Sequence, residues 1–324
     1  MDLVKDPTTS TPSRVPGSAR RASYVDMIWL PAAGFEASPE SRLVVRAAAR
    51  DIATGADGGG TVLDEAALTA WIGDRNQILR LEVDAAGAAL DGVELLLGRV
   101  AGRGFRAAAR DVAGERWAEP VGLLLDDLPV AVLIAGYGQL VAGKVRGAPD
   151  HMRDLCSGWR SDGTMIRAID AGEPFPVPGV APAPDLSRAD DPLAVQPTLP
   201  LPLGALRRRR RVDLLPGEPA PVDATFRDTY QTPDGEGVLH EYIVRTTFGS
   251  SGTLGDVNAE PRVLPWIECP AAAAHAARVS GALASDLARL VPTALTGLSS
   301  CTHLNDLLRS LTCLPRLRDL RPRL

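Results

Sequence analysis

A chain of 324 residues, 45% of them hydrophobic and with a mean hydropathy of zero, can bury an ordinary core, which excludes fibrous, collagen-like and fully disordered classes. Its length suits two domains. The 35 basic and 40 acidic side chains leave a net charge of −5, which argues against nucleic acid as a partner, because phosphate binding needs a clustered positive field.

Residues 1–20 are rich in Thr, Ser, Pro and Arg, with little to bury, and read as a disordered lead-in, so folding is expected to start near Ser23. They lack the apolar stretch of a signal peptide, and no apolar run approaches the ~18 residues of a membrane span. A cytoplasmic protein without membrane contact is expected. Residues 21–172 form an N-terminal half, residues 173–204 a proline-rich extended linker, and residues 205–324 a C-terminal half.

The two halves begin alike. Val45–Asp51 matches Val222–Asp228 at Val, Ala, Arg and Asp, and Arg20-Arg21 with Val25-Asp26 parallels Arg207–Arg211 with Val212-Asp213. Ile78–Arg80 then aligns with Ile243–Arg245, Phe105–Arg110 with Pro270–His275, and Leu128–Ala131 with Val291–Ala294. Their shared order predicts a duplicated domain. The fold class expected is α+β: two related domains, each a small, mostly antiparallel sheet packed by C-terminal helices. A pseudo-dimer within the chain follows, and a homodimer is compatible with it.

In the C-terminal half, residues 222–230 and 238–248 carry the β-branched and aromatic content of strands around the turn chemistry of Pro233-Asp234-Gly235. Another strand is expected within 253–266, and helices over Ala271–Ala277, 282–290 and 302–311. The Arg207–Arg211 run has no interleaved aromatics and reads as a solvated edge strand or one that meets acidic surface.

Four cysteines are too few for a disulfide scaffold, so each is weighed as a thiol. His240, Cys269, Cys301 and His303 supply a tetrahedral number of zinc or iron ligands from three segments, although without the tight CxxC spacing of a zinc finger. Sharing a metal requires Cys301 to sit just before a helix with His303 in its first turn. Cys269 lies just ahead of its alanine-rich helix, where the macrodipole favours a thiolate. Cys313 and His275 read as incidental. Cys156, with His151 nearby, reads as a packed thiol ahead of a second site.

Glu241 is the expected general acid/base, able to reach the site only if its strand bulges, since strand neighbours face opposite ways. Asp228 and Arg245 would orient His240 or hold a substrate anion, unless they are structural, as Asp51 and Arg80 of the first half suggest. The first half puts Arg75, Gly104, Gly138 and Leu140 on or near the four ligand positions, so its role would be a structural partner or one wall of a cleft.

His240-Glu241, Cys269-Pro270 and Cys301-Thr302-His303-Leu304 give residues 207–311 a resemblance to a large uncharacterised family of bacterial proteins, a domain of unknown function closing on Cys-Thr-His-Leu. A longer actinobacterial form of that family is similar to the whole chain. More distantly, the order of candidate ligands resembles NifU/IscU-type iron–sulfur scaffolds, but His240 replaces the first Cys and Thr302 intervenes in the last pair. Three functions follow as expectations. One is a zinc-centred small-molecule enzyme (lyase, isomerase or hydrolase), another an iron–sulfur or zinc carrier without turnover, and the third a metal-free Cys/His enzyme with Cys301 as nucleophile.

Overall fold

The computed structural model describes residues 3–32, 40–144 and 152–322. The first half supplies strands β1 (Ala19–Trp29), β2 (Ser41–Thr54), β3 (Gly60–Gly73), β4 (Ile78–Ala85) and the short β5 (Ala88–Ala89). Helices α1 (Phe105–Ala113), α2 (Pro120–Ile134), α3 (Gly136–Val141) and α4 (Thr164–Asp170) follow. After the two-residue β6 (Ala181–Pro182), the second half contributes β7 (Leu206–Leu214), β8 (Ala220–Thr232), β9 (Gly235–Phe248) and β10 (Asn258–Val263). A 3₁₀ helix over Cys269–Val279 leads to α5 (Leu287–Ala294), α6 (Thr302–Ser310) and α7 (Leu314–Leu320).

The α+β class is as expected, and each half is an antiparallel ladder of consecutive strands. The two ladders are not separate sheets. β1 pairs antiparallel with β7, from Ala19 opposite Leu214 to Met27 opposite Leu206, giving one sheet in the order β10-β9-β8-β7-β1-β2-β3-β4-β5. Val45–Asp51 and Val222–Asp228 both lie on the second strand of their ladders, β2 and β8. Ile78–Arg80 lies on the fourth strand, β4, whereas Ile243–Arg245 lies on the third, β9.

All the large helices cover one face. Valines, leucines and alanines of β1–β4 bury against α1 and α2, while β8 and β9 bury against the 3₁₀ helix, α5 and α6. The stretch Pro120–Val141, spanning α2 and α3, does reach the length and hydropathy of a membrane span, contrary to the sequence expectation, and 72% of its most apolar window is buried within the protein.

The opposite face corrects two expectations. Residues 3–16 are not a loose lead-in; they lie extended across the sheet. Lys5 bridges to Val263, the Thr8 N–H donates to Glu241 Oε1 at 3.1 Å, the Thr11 hydroxyl donates to the Leu186 carbonyl, and Arg14 pairs with Asp191. The proline-rich 173–204 stretch, expected as an extended linker, packs beside them. Proline keeps its carbonyl while losing its N–H, so such a stretch is rich in acceptors. The Ala194, Val195 and Leu199 carbonyls take bonds from Arg20, Arg50 and Arg207.

Nor is Arg207–Arg211 a solvated edge. β7 is central, flanked by β8 and β1, and its arginines alternate between the two faces, each buried one with a carboxylate. Arg207 pairs with Asp26, Arg208 with Asp228, Arg210 with Asp127, and Arg211 with Asp213 and Asp223. Burial at this depth requires such partners, because an unpaired guanidinium would lose its hydration uncompensated.

Candidate metal centre

Cross-strand register builds the site. Arg208, Asp228 and His240 stand side by side on β7, β8 and β9, and the neighbouring row on the same face carries Arg210, Phe226 and Tyr242. The β8–β9 ladder shifts register between Asp228 and Thr229, leaving Leu239 as the extra residue. The bulge therefore turns Leu239 toward the helix face beside His240, and both line the same cavity. Glu241 stays on the opposite face. There it is bound to Arg227 at 3.0 Å and to the Thr8 N–H, so the bulge falls one position too early to bring it into the site as an acid/base.

From the helix side comes α6. Cys301 is its N-cap residue in extended conformation, and His303 lies in its first turn, the arrangement that the two-residue spacing required. Neither Ser300 nor Thr302 caps this helix through its side chain; the Ser300 hydroxyl donates to the Gly297 and Leu155 carbonyls. The His303 ring stacks on His240 with centroids 3.6 Å apart and planes at 15°, and the Phe226 ring lies 6.1 Å from it at 14°. His303 Nε2 lies 3.5 Å from Asp228 Oδ2, and its Nδ1 lies 3.8 Å from the Cys301 Sγ.

Among the described residues, Asp228, His240 and His303 are the His, Cys, Asp and Glu group whose ligand atoms all lie within 4.8 Å of one another. Asp228 is held by Arg208 through a two-point bridge of 2.7 and 2.8 Å, and Arg208 also donates to Asp306 on α6 at 3.1 Å. Asp306 is in turn shared with Arg106 at 3.4 Å.

Burial sets the ionisation of the site. It lowers His240 to about 4, with Arg208 adding to the shift and Asp228 opposing it. His303 falls well below its ordinary value through burial, His240 and Arg208. Burial, aided by Cys156, raises the Cys301 thiol to about 12. Cys269 is also pushed well up, by burial and by Cys301 and Cys156, which outweigh the helix start expected to favour its thiolate.

Beyond the triad opens a cavity of about 320 Å³, whose wall includes Cys156, Cys269 and Cys301. The predicted ligand set is therefore brought to one cavity, with His240 and His303 in contact and the thiols arranged around them. Arg245 is elsewhere: its side chain is 57% exposed and pairs with Asp223 and Glu260. Cys313 is buried away from the cavity and is raised to about 11, chiefly by burial. His151 lies outside the described residues, so the second site considered for it and Cys156 is not described. Cys156 itself belongs to the cavity wall, which its sequence context did not suggest. Gly158 packs the same wall closely: a Cβ there would lie 2.8 Å from the Cys269 sulfur and 3.2 Å from Trp266. Arg208, Tyr242 and Asp306 were also missed as parts of the site; the arginine run and the Asp228 opposite it were their only trace.

β7, β8, β9 and α6, the elements that carry the triad, all fall within one matched segment. Residues 206–315 match the family described as Protein of unknown function (DUF2889). This DUF2889 segment covers about a third of the chain and accords with the uncharacterised family expected for the C-terminal half. No curated protein and no solved structure matches the chain. The cavity is not built by the DUF2889 segment alone: Ile134, Tyr137 and Leu140 of the first half also line it.

Proposed function

We propose that the protein is a metal-dependent enzyme acting on a small molecule in the 320 Å³ cavity, with a divalent ion, zinc or ferrous iron, bound by Asp228, His240 and His303. The observation that carries this reading is the convergence of two imidazoles and a carboxylate within 4.8 Å on the wall of an otherwise apolar cavity. The donor chemistry fits. Both imidazoles are neutral at neutral pH, with lone pairs free for a metal, whereas a base at about 4 and a thiol at about 12 are poorly tuned for unaided acid–base or nucleophilic work.

A divalent ion there would supply Lewis-acid polarisation of a substrate oxygen. The chain's own contribution is positional. Arg208 fixes Asp228 through both oxygens, the His303 Nδ1 faces Cys301 as an outer partner, and apolar walls exclude water. The first half serves as one wall of the cleft.

One observation favours a second reading, a metal-free enzyme using the His303–Asp228 pair. Imidazole lone pairs lie in the ring plane, and two planes stacked 3.6 Å apart at 15° do not aim theirs at one point between them, so chelation turns the rings about their Cβ–Cγ bonds. Elemental analysis separates the two. The full chain, loaded anaerobically with zinc or ferrous iron and desalted, is expected to retain about one ion per chain. His240→Ala and His303→Ala should lose it, and Cys313→Ala should keep it. A folded wild type that retains neither metal would overturn the metal reading.

A further inference from the structure

We propose that the cavity wall itself, with no metal bound, prefers an uncharged, flat, largely aromatic molecule with one polar end, such as a phenol or an aryl ketone, over an anion of the same shape. This deepens the reading of the cavity as a substrate site. Among the described residues that line it, none is lysine or arginine, and Asp228, whose charge is engaged by Arg208, is the only carboxylate. With no metal bound, an entering anion would give up its hydration and meet no cation among the described residues of the wall. An uncharged ring would not.

The wall is built for such a ring. Tyr137, Trp159, Phe175 and Trp266 line it, with Trp159 and Phe175 tilted against each other at 5.9 Å. Stacked and edge-on contacts of this kind favour planar ligands. Burial raises the Tyr137 hydroxyl to about 12 and pushes the Cys156 and Cys269 thiols up, so these groups present neutral surface at neutral pH. Polar groups concentrate at the His240–His303 end, where Thr302 also lies, which sets the single polar end of the ligand. Leu133 and Leu155 line the cavity while remaining 46% and 42% exposed, so the part of its rim that they form is apolar as well.

The test uses 2-naphthol and 2-naphthoate, two probes of matching shape, one neutral and one anionic at pH 7.5. Binding to the chelator-treated full chain is read by tryptophan fluorescence and equilibrium dialysis, so that a carboxylate cannot gain from a metal. The naphthol is expected to bind about tenfold tighter or more. Gly136 lines the cavity and a Cβ there meets nothing within 4 Å, so Gly136→Leu should fill space and weaken naphthol binding by about tenfold, with the circular dichroism unchanged. Equal or tighter binding of naphthoate, no binding of either probe, or a folded Gly136→Leu variant that binds naphthol as well as wild type would overturn the proposal. Failure of the metal reading registers separately, as absence of metal in the loaded protein, and leaves the probe preference intact.

Discussion

Arg210 reaches from the middle of the sheet to Asp127 on α2, with contacts of 2.7 and 3.1 Å, and both side chains are almost fully buried. Asp127→Ala would strand that guanidinium, and urea unfolding is expected to show a loss of about 3–5 kcal/mol. The pair replacement Asp127→Leu with Arg210→Met removes both charges and should recover most of it, since a buried ion pair gains little over apolar packing. A cost for the double variant as large as for the single would sink that account. Gly158→Ala is a steric test at the same scale. Its Cβ would press on the Cys269 sulfur and Trp266, so a destabilisation of about 1–3 kcal/mol is expected, with the wall shifted rather than lost. His240, Cys301 and His303 were legible as site residues because few side chains offer their chemistry. Arg208 was not, because an arginine's burial depends on a carboxylate that register alone brings opposite.

At the scale of elements, the β8–β9 hairpin and the start of α6 were readable from turn residues and from the Cys301/His303 spacing. Residues 3–16 were not, since their attachment uses backbone bonds and ion pairs where sequence patterns register apolar periodicity. The Arg14–Asp191 clamp gives that strap a pH dependence. Burial pushes Asp191 up, but the Arg14 hydrogen bond, the Leu193 N–H and the charges of Arg14 and Arg20 hold it below its ordinary value. A carboxylate lowered on folding contributes stability above its unfolded pKa of about 4 and loses it as pH falls through the folded value. Wild type should therefore exceed Asp191→Asn in stability near pH 6, the gap closing below about pH 4. A gap of constant size down to pH 2.5 would exclude the clamp as its source.

For the whole molecule, the β1–β7 seam decides what can stand alone. Asp26 and Asp127 of the first half neutralise Arg207 and Arg210 of the second, and the cavity draws its wall from both. Residues 205–324 expressed alone are expected to lack cooperative unfolding, and coexpression with residues 1–204 should restore one transition and copurification. A sharp, independent transition for the isolated fragment would show that the seam is dispensable. Two domains were expected from length and the similarity of the halves, but a continuous sheet depends on which edges meet, and neither composition nor repeat spacing reports that.

The same seam has a temporal side. β1 ends at Trp29 and its neighbour β7 begins at Leu206, so during synthesis at ~5–20 residues per second one flank of β1 waits roughly 10–40 s for its partner. An open strand edge of this kind invites pairing with another nascent chain. Arg20 and Arg21 sit on that edge, and Arg20 has no Asp213 to bind until β7 emerges. Side chains that finish as interior ion pairs would thus begin as gatekeepers, repelling neighbouring copies on the same polysome until the rest of the sheet arrives.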